Sequence, residues 1–157
     1  MHKTIVSPRD SSAGATTDDW LDLGRLAHVE LTSEDPAHPI EAALEQPARA
    51  PGWRAAVPGP QTITLRFQTP QALRLIQLRF ESGEARTQEF QLTCRRVGES
   101  EAREIVRQQF HFAPGGATVE EEDYHVDLCD VTELTLHLTP DISRGPAHAT
   151  LREWRIR

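Results

Sequence analysis

Cysteine is scarce in this chain of 157 residues: Cys94 and Cys129 are the only two, and they lie far apart. That is too sparse for a disulfide framework or a zinc site. Both are expected to be reduced thiols, Cys94 inward and Cys129 outward on their strands. No apolar run approaches the roughly 18 residues that a membrane-spanning helix needs. The opening stretch, MHKTIVSPRDSSAGATTDDW, lacks the apolar region of a secretory signal. A cytoplasmic location is therefore expected, and from Met1 onward the chain reads as complete. Excess positive charge is missing too. The net charge of −7 argues against a sequence-independent hold on nucleic acid or anionic lipid, so neither nucleic acid nor membrane is expected as a partner. No H-E-x-x-H, C-x-x-C or G-x-S-x-G occurs, and there is no glycine-rich phosphate loop. No Ser/His/Asp order or close carboxylate pair stands out, so catalysis is not expected.

What remains is a hydrophobic content of 38% and a charged content of 26%, which suits a single soluble globular domain. Residues 1–22 read as a loosely ordered arm and 23–157 as one domain. Amphipathic helices are absent, and only PIEAALEQ reads as helical, for one or two turns. From residue 60 onward, period-2 alternation dominates. Ile63, Leu65 and Phe67 point one way in QTITLRF, and Ile76, Leu78 and Phe80 do so in LRLIQLRF. Leu73 and Leu75 have the opposite parity, so a bulge or strand start is expected near Leu75. Further inward sets are Phe90, Leu92 and Cys94; Val106, Phe110 and Phe112; Tyr124, Val126 and Leu128; and Leu134, Leu136 and Leu138. The last strand, ATLREWRI, changes parity between Leu151 and Trp154. An early strand near AHVELT brings the total to about eight. The separators ESGEA, RVGES, APGGATVEEE and TPDISRGPA are turn material. Short strands with no helix between them predict an antiparallel all-β sandwich or barrel.

The order HPIEAAL, PGWRA, PQTITLRFQTPQALRLIQLRFE and TQEFQLT, closing on ATLREWRI, resembles the discoidin, or coagulation factor 5/8 type C, domains over roughly residues 25–157. The resemblance implies a galactose-binding-like jelly roll. In such domains the tryptophan after the first long loop anchors one end of the sandwich, and Trp53 is expected to do so here; a ligand contact is the other reading. The resemblance also implies a structural calcium beside that loop. Here ALEQP supplies Glu45, Gln46 and Pro47 where carboxylates and a tight glycine turn are expected. Calcium needs six to eight oxygens, so Glu45 and Glu153 remain weak candidates, calcium is disfavoured, and no cofactor is expected. Glu153 paired with a nearby arginine is the alternative.

Other polar features carry two readings each. His125 and His137 would face each other across a tight hairpin and hold a metal; in a jelly roll whose successive strands cross between sheets they are separate surface residues. Glu120, Glu121, Glu122 and Asp123 read as a solvated loop rather than a cation patch. Outward Arg66, Arg79, Arg95 and Arg107 are interleaved with Glu and Gln and form no single-sign stripe.

The resemblance thus implies a non-catalytic ligand-binding module, with carbohydrate as the leading partner. Loops 45–59, 81–88 and 113–122 offer Trp53, Arg54, Glu84, Arg86 and Gln88 as candidate ligand-binding residues. Paired arginine forks would favour acidic sugars. The alternative is an intracellular protein-protein interaction or scaffold module: the same fold serves in a DNA single-strand-break repair scaffold and in a subunit presenting substrates to a ubiquitin ligase. A third reading is an accessory domain of a hydrolase.

Overall fold

The computed structural model describes residues 20–157. The expectation of a loose arm over residues 1–22 therefore falls largely outside the described residues. Its last three residues are tied down: the Leu21 N–H donates to the Ile156 carbonyl at 2.8 Å, and the Trp20 ring lies 4.5 and 4.9 Å from the guanidinium carbons of Arg155 and Arg157.

Alternation builds eight antiparallel strands among the described residues: β1 (Ala27–Leu31), β2 (Trp53–Arg54), β3 (Gln61–Glu81), β4 (Arg86–Arg96), β5 (Arg103–Phe112), β6 (Val119–Thr139), β7 (Thr150–Leu151) and β8 (Glu153–Ile156). Two single-turn helices, α1 (Leu23–Leu26) and α2 (Glu41–Leu44), accompany them. The strand count agrees with the sequence reading, but the partition does not. QTITLRF and LRLIQLRF are two halves of the 21-residue β3, and DYHVDL and ELTLHL are two halves of the 21-residue β6. The two-residue pair β2–β7 is too short to leave a periodic trace.

Both long strands serve two layers. The first half of β3 lies between β1 and the second half of β6, and the layer continues through β4 to β5. The second half of β3 lies between β8 and the first half of β6. The parity change near Leu75 marks the bend, because the β3–β6 register shifts between Arg66 and Gln71, Gln71 and Leu73, and Leu73 and Leu75. Extra residues at such shifts bend a strand while keeping apolar side chains inward. Leu73, Leu75 and Ile76 are all buried as a result. Across the layers, Phe80 lies 5.3 Å from Phe90, and Phe90 lies 6.4 Å from Tyr124. Ile63, Leu65, Leu78, Leu92, Leu134, Leu136 and Trp154 complete a continuous core.

Two sequence expectations are corrected by this topology. His125 and His137 do not face each other across a hairpin, because they lie on one strand, opposite Leu75 and Thr62 in different layers. The acidic run is not a solvated loop either. It opens β6 and alternates, with Glu121 and Asp123 exposed, Glu122 half-buried and Glu120 buried.

The double bend brings the connections 32–60, 82–85, 113–118 and 140–149 to one end of the sandwich. That end is closed by the β2–β7 pair, in which Trp53 faces Leu151 and Arg54 faces Thr150. Trp53 is 1% exposed and belongs to the core. Gly52 before it sits at φ +90, where an added Cβ would lie 2.3 Å from the Leu151 carbonyl oxygen; only glycine lets the chain approach β7 so closely. Trp53 is thus the end plug. Replacing it by alanine should cost about 3–5 kcal/mol, as for other buried large aromatics, read from the urea midpoint at constant slope. A loss below about 1 kcal/mol would show that the end closes without it.

Candidate functional site

At the plugged end an open cavity of about 330 Å³ is lined by residues of four segments. His38 comes from the first long connection; Trp53 and Arg54 from β2; Glu81 from the end of β3, followed by Ser82, Gly83 and Glu84; and Arg86 from the start of β4. Pro146, Ala147, His148 and Thr150 close the far side. Four of the five residues singled out from sequence, Trp53, Arg54, Glu84 and Arg86, therefore share one cavity.

Their roles differ from the expectation. Trp53 contributes a wall but no open ring face, since it is almost wholly buried. Arg54 and Glu84 are exposed at the rim. Arg86 is not a surface loop residue but the first inward residue of β4, 7% exposed. Its Nη1 donates to the His148 carbonyl at 3.1 Å and its Nη2 to the Thr150 Oγ1 at 3.4 Å, while its guanidinium lies 5.7 Å from the centre of the Phe112 ring. Its Nε is buried without a partner. Burial pushes its pKa below the ordinary arginine value, against the pull of the Glu84 and Asp141 carboxylates.

The fifth residue, Gln88, is not in the cavity. It is the next inward residue of β4, fully buried, and its Nε2 donates to the Glu120 Oε1 at 3.1 Å. Glu120, 1% exposed, carries a second oxygen with no donor near it. Burial first, and the neighbouring Glu122 second, raise its pKa from 4.5 to about 8.

Sequence reasoning missed His38, His148 and Thr150. His148 falls between the separator TPDISRGPA and the strand ATLREWRI, and Thr150 is near the start of that strand; neither stands out in sequence, yet the return of the chain after β6 puts them beside the first connection. His148 Nδ1 lies 2.9 Å from the Ala55 carbonyl, and His38 Nδ1 lies 3.1 Å from an Asp35 carboxylate oxygen. Both partners are acceptors, so each ring donates through Nδ1 and keeps Nε2 for another partner. The expected loop 113–122 supplies nothing to this cavity.

The calcium implied by the resemblance does not fit. Glu45 is paired with Arg49 at 3.0 Å, and Glu153 lies 3.4 Å from the Nε of Arg155. The two carboxylates line different clefts, Glu45 beside Trp20–Leu23 and Glu153 beside Glu121 and Asp123. Arginine-held carboxylates that do not converge offer no calcium cage.

No protein-family model matches the chain, and no curated protein matches it in sequence. Solved structures match it in fold. A family 32 carbohydrate-binding module (CBM32-3) from a family 31 glycoside hydrolase of Clostridium perfringens superposes with a TM-score of 0.61 at 14% identity, covering 89% of this chain and 95% of that one. The family 32 module of C. perfringens NanJ, solved with galactose, gives 0.59 at 9% identity, covering 87% and 96%. The family 32 module of AlyQ, solved with 4,5-unsaturated mannuronic acid, gives 0.57 at 15% identity, covering 84% and 95%. At such identities the likeness is one of fold: the chain is an all-β jelly-roll sandwich with the fold of these modules, in line with the fold that its resemblance to the discoidin domains implied.

Two outcomes follow from this chemistry. An acid whose pKa is raised on folding binds more protons in the native than in the unfolded state, so its contribution is complete below about pH 4.5 and is lost as the pH rises to about 8. Glu120→Gln should flatten that part of the stability-pH curve and make the protein more stable than wild type at pH 8 by about 1 kcal/mol or more. An unchanged slope would place the titration elsewhere. Millimolar calcium, or a chelator, should move the melting temperature by less than about 1 °C, since stabilisation grows as ln(1 + [L]/Kd); a rise of several degrees would mean that Glu45 and Glu153 do build a site.

Proposed function

We propose that this protein is a non-catalytic carbohydrate-binding module whose site is the cavity at the Trp53 end of the sandwich. The observation that carries the reading is the cavity itself: about 330 Å³, open to solvent, at the end where the long connections gather. That volume suits a small ligand held by a few well-placed polar groups. The lining supplies guanidinium forks from Arg54 and Arg86, ring nitrogens from His38 and His148, and carboxylates from Glu81 and Glu84. These are the directional donors and acceptors that sugar hydroxyls require. Structures of the same fold solved with galactose and with an unsaturated mannuronic acid add support.

Binding without turnover is the better reading of this chemistry. Glu81 lies 3.1 Å from Arg79 and 3.9 Å from Arg152. A carboxylate already engaged by guanidinium groups is poorly placed to meet a leaving group as a general acid. With Trp53 buried, the sugar is gripped at its edges rather than stacked on an indole face.

A glycan screen followed by calorimetry tests the proposal. Saccharide should bind, and Arg54→Ala should weaken binding about tenfold, as expected for loss of a charged hydrogen-bond donor. The melting temperature should move by no more than about 1 °C, because Arg54 is exposed. A screen without a hit at millimolar sugar would remove the carbohydrate reading.

A further inference from the structure

The cavity sets two arginines, Arg54 and Arg86, beside two acids, Glu81 and Glu84, and Glu81 is already held by Arg79 and Arg152. Several surface arginines lie against acids, among them Arg66 with Glu30 and Glu133, Arg79 with Glu81 and Glu121, and Arg107 with Glu89 and Glu104. All of those pairs are solvated. Arg86 is the arginine that the fold buries, and its guanidinium reaches only neutral acceptors, the His148 carbonyl and the Thr150 hydroxyl. Glu84 and Asp141 are near enough to be felt, but neither forms an ion pair with it among the described residues. Arg54, on the rim of the same cavity, forms no ion pair there either, and its charge adds to that of Arg86. A buried cation without a counter-charge is costly, because a protein interior does not replace the hydration it loses. A ligand carboxylate would supply the direct partner that Glu84 and Asp141 do not.

Resting on the carbohydrate reading of this cavity, we propose that its ligand is a uronic acid, a sugar whose carboxylate sits against the buried Arg86 guanidinium with Arg54 closing over it. The carboxylate is the specificity element, and the histidine nitrogens take hydroxyls. A carboxylate offers the planar pair of oxygens that a guanidinium fork matches, whereas a neutral hydroxymethyl at the same carbon leaves the buried charge unpaired. Glu84 is the native competitor: an exposed carboxylate on the same rim, which repels the incoming acid.

The test is a calorimetric panel of galacturonate, glucuronate and mannuronate against galactose, glucose and mannose, with acetate as a carboxylate lacking a sugar. At least one uronate should bind about tenfold or more tightly than its neutral counterpart. That affinity should fall as salt is raised from 10 to 500 mM, over which the Debye length shrinks about sevenfold. Acetate should bind far more weakly than the uronate. Glu84→Gln should tighten uronate binding severalfold, a gain that a merely structural role would not produce. Arg54→Gln should weaken it and remove most of the salt dependence. Arg86→Gln should abolish the preference for acid; if it does not fold, the Glu84 and Arg54 variants carry the test. Equal binding of acid and neutral sugar would overturn this inference and leave the carbohydrate reading standing. Acetate binding as well as uronate would overturn it in favour of a simple anion site, and no sugar binding at all would overturn both.

Discussion

The bends in β3 and β6 hold the rest of this protein in place. Each strand crosses from one layer to the other through a short run of register shifts, so one hydrogen-bonded ladder serves both faces of the sandwich. Had these strands stayed straight, the apolar sets on their two halves would face opposite sides, and Phe80 could not meet Phe90. Because they bend, the ends of both strands return to the same side of the molecule, and four connections gather there. The cavity is a consequence of that return. Its walls are irregular backbone, but each wall is pinned by a strand end within a few residues.

A second constraint is the closure of that end. β2 and β7 form only two registered pairs, too few to be stable alone. They persist because Trp53 and Leu151 are part of the core, and because Gly52 lets the chain lie almost on β7. Closure in turn places Arg54 on the rim and presents the His148 carbonyl to Arg86. The same residues that seal the core therefore shape the cavity.

Beneath the cavity the fold tolerates polar groups that a purely apolar core would avoid. Arg86, Gln88 and Phe90 are successive inward residues of β4, so the lining grades from charged to amide to aromatic over five residues. Gln88 and Glu120 form a buried pair below the guanidinium, and the indole nitrogens of Trp53 and Trp154 are buried without partners. Each of these costs stability, offset by the large aromatic and aliphatic area around them. Buried polar groups also occur in the β3–β6–β4 layer, at Gln61, Thr64, Thr93 and Thr135, but the buried charged residues, Arg86 and Glu120, lie on or next to the cavity side.

Local alternation alone determined the all-β class, the inward sets from Ile63 to Leu138 and the slip near Leu75, because a half-buried strand writes its two faces directly into residue order; the burial of Trp53 was expected only from the resemblance to the discoidin domains. It could not determine which strands are one strand. Segments that look separate on either side of Gln71 and Val131 are continuous, since a bulge breaks periodicity without breaking the ladder. Arg54 and Glu84 were legible as rim residues because Pro, Gly and Ser mark their loops. Arg86 and Gln88 were misread because their alternation with Phe90 was set aside in favour of polarity; the inward parity was present, but burying a charge runs against expectation unless the partners are known. His38, His148 and Thr150 were beyond reach. They are far from Trp53 in sequence, and only the double bend and the β2–β7 closure bring them to it.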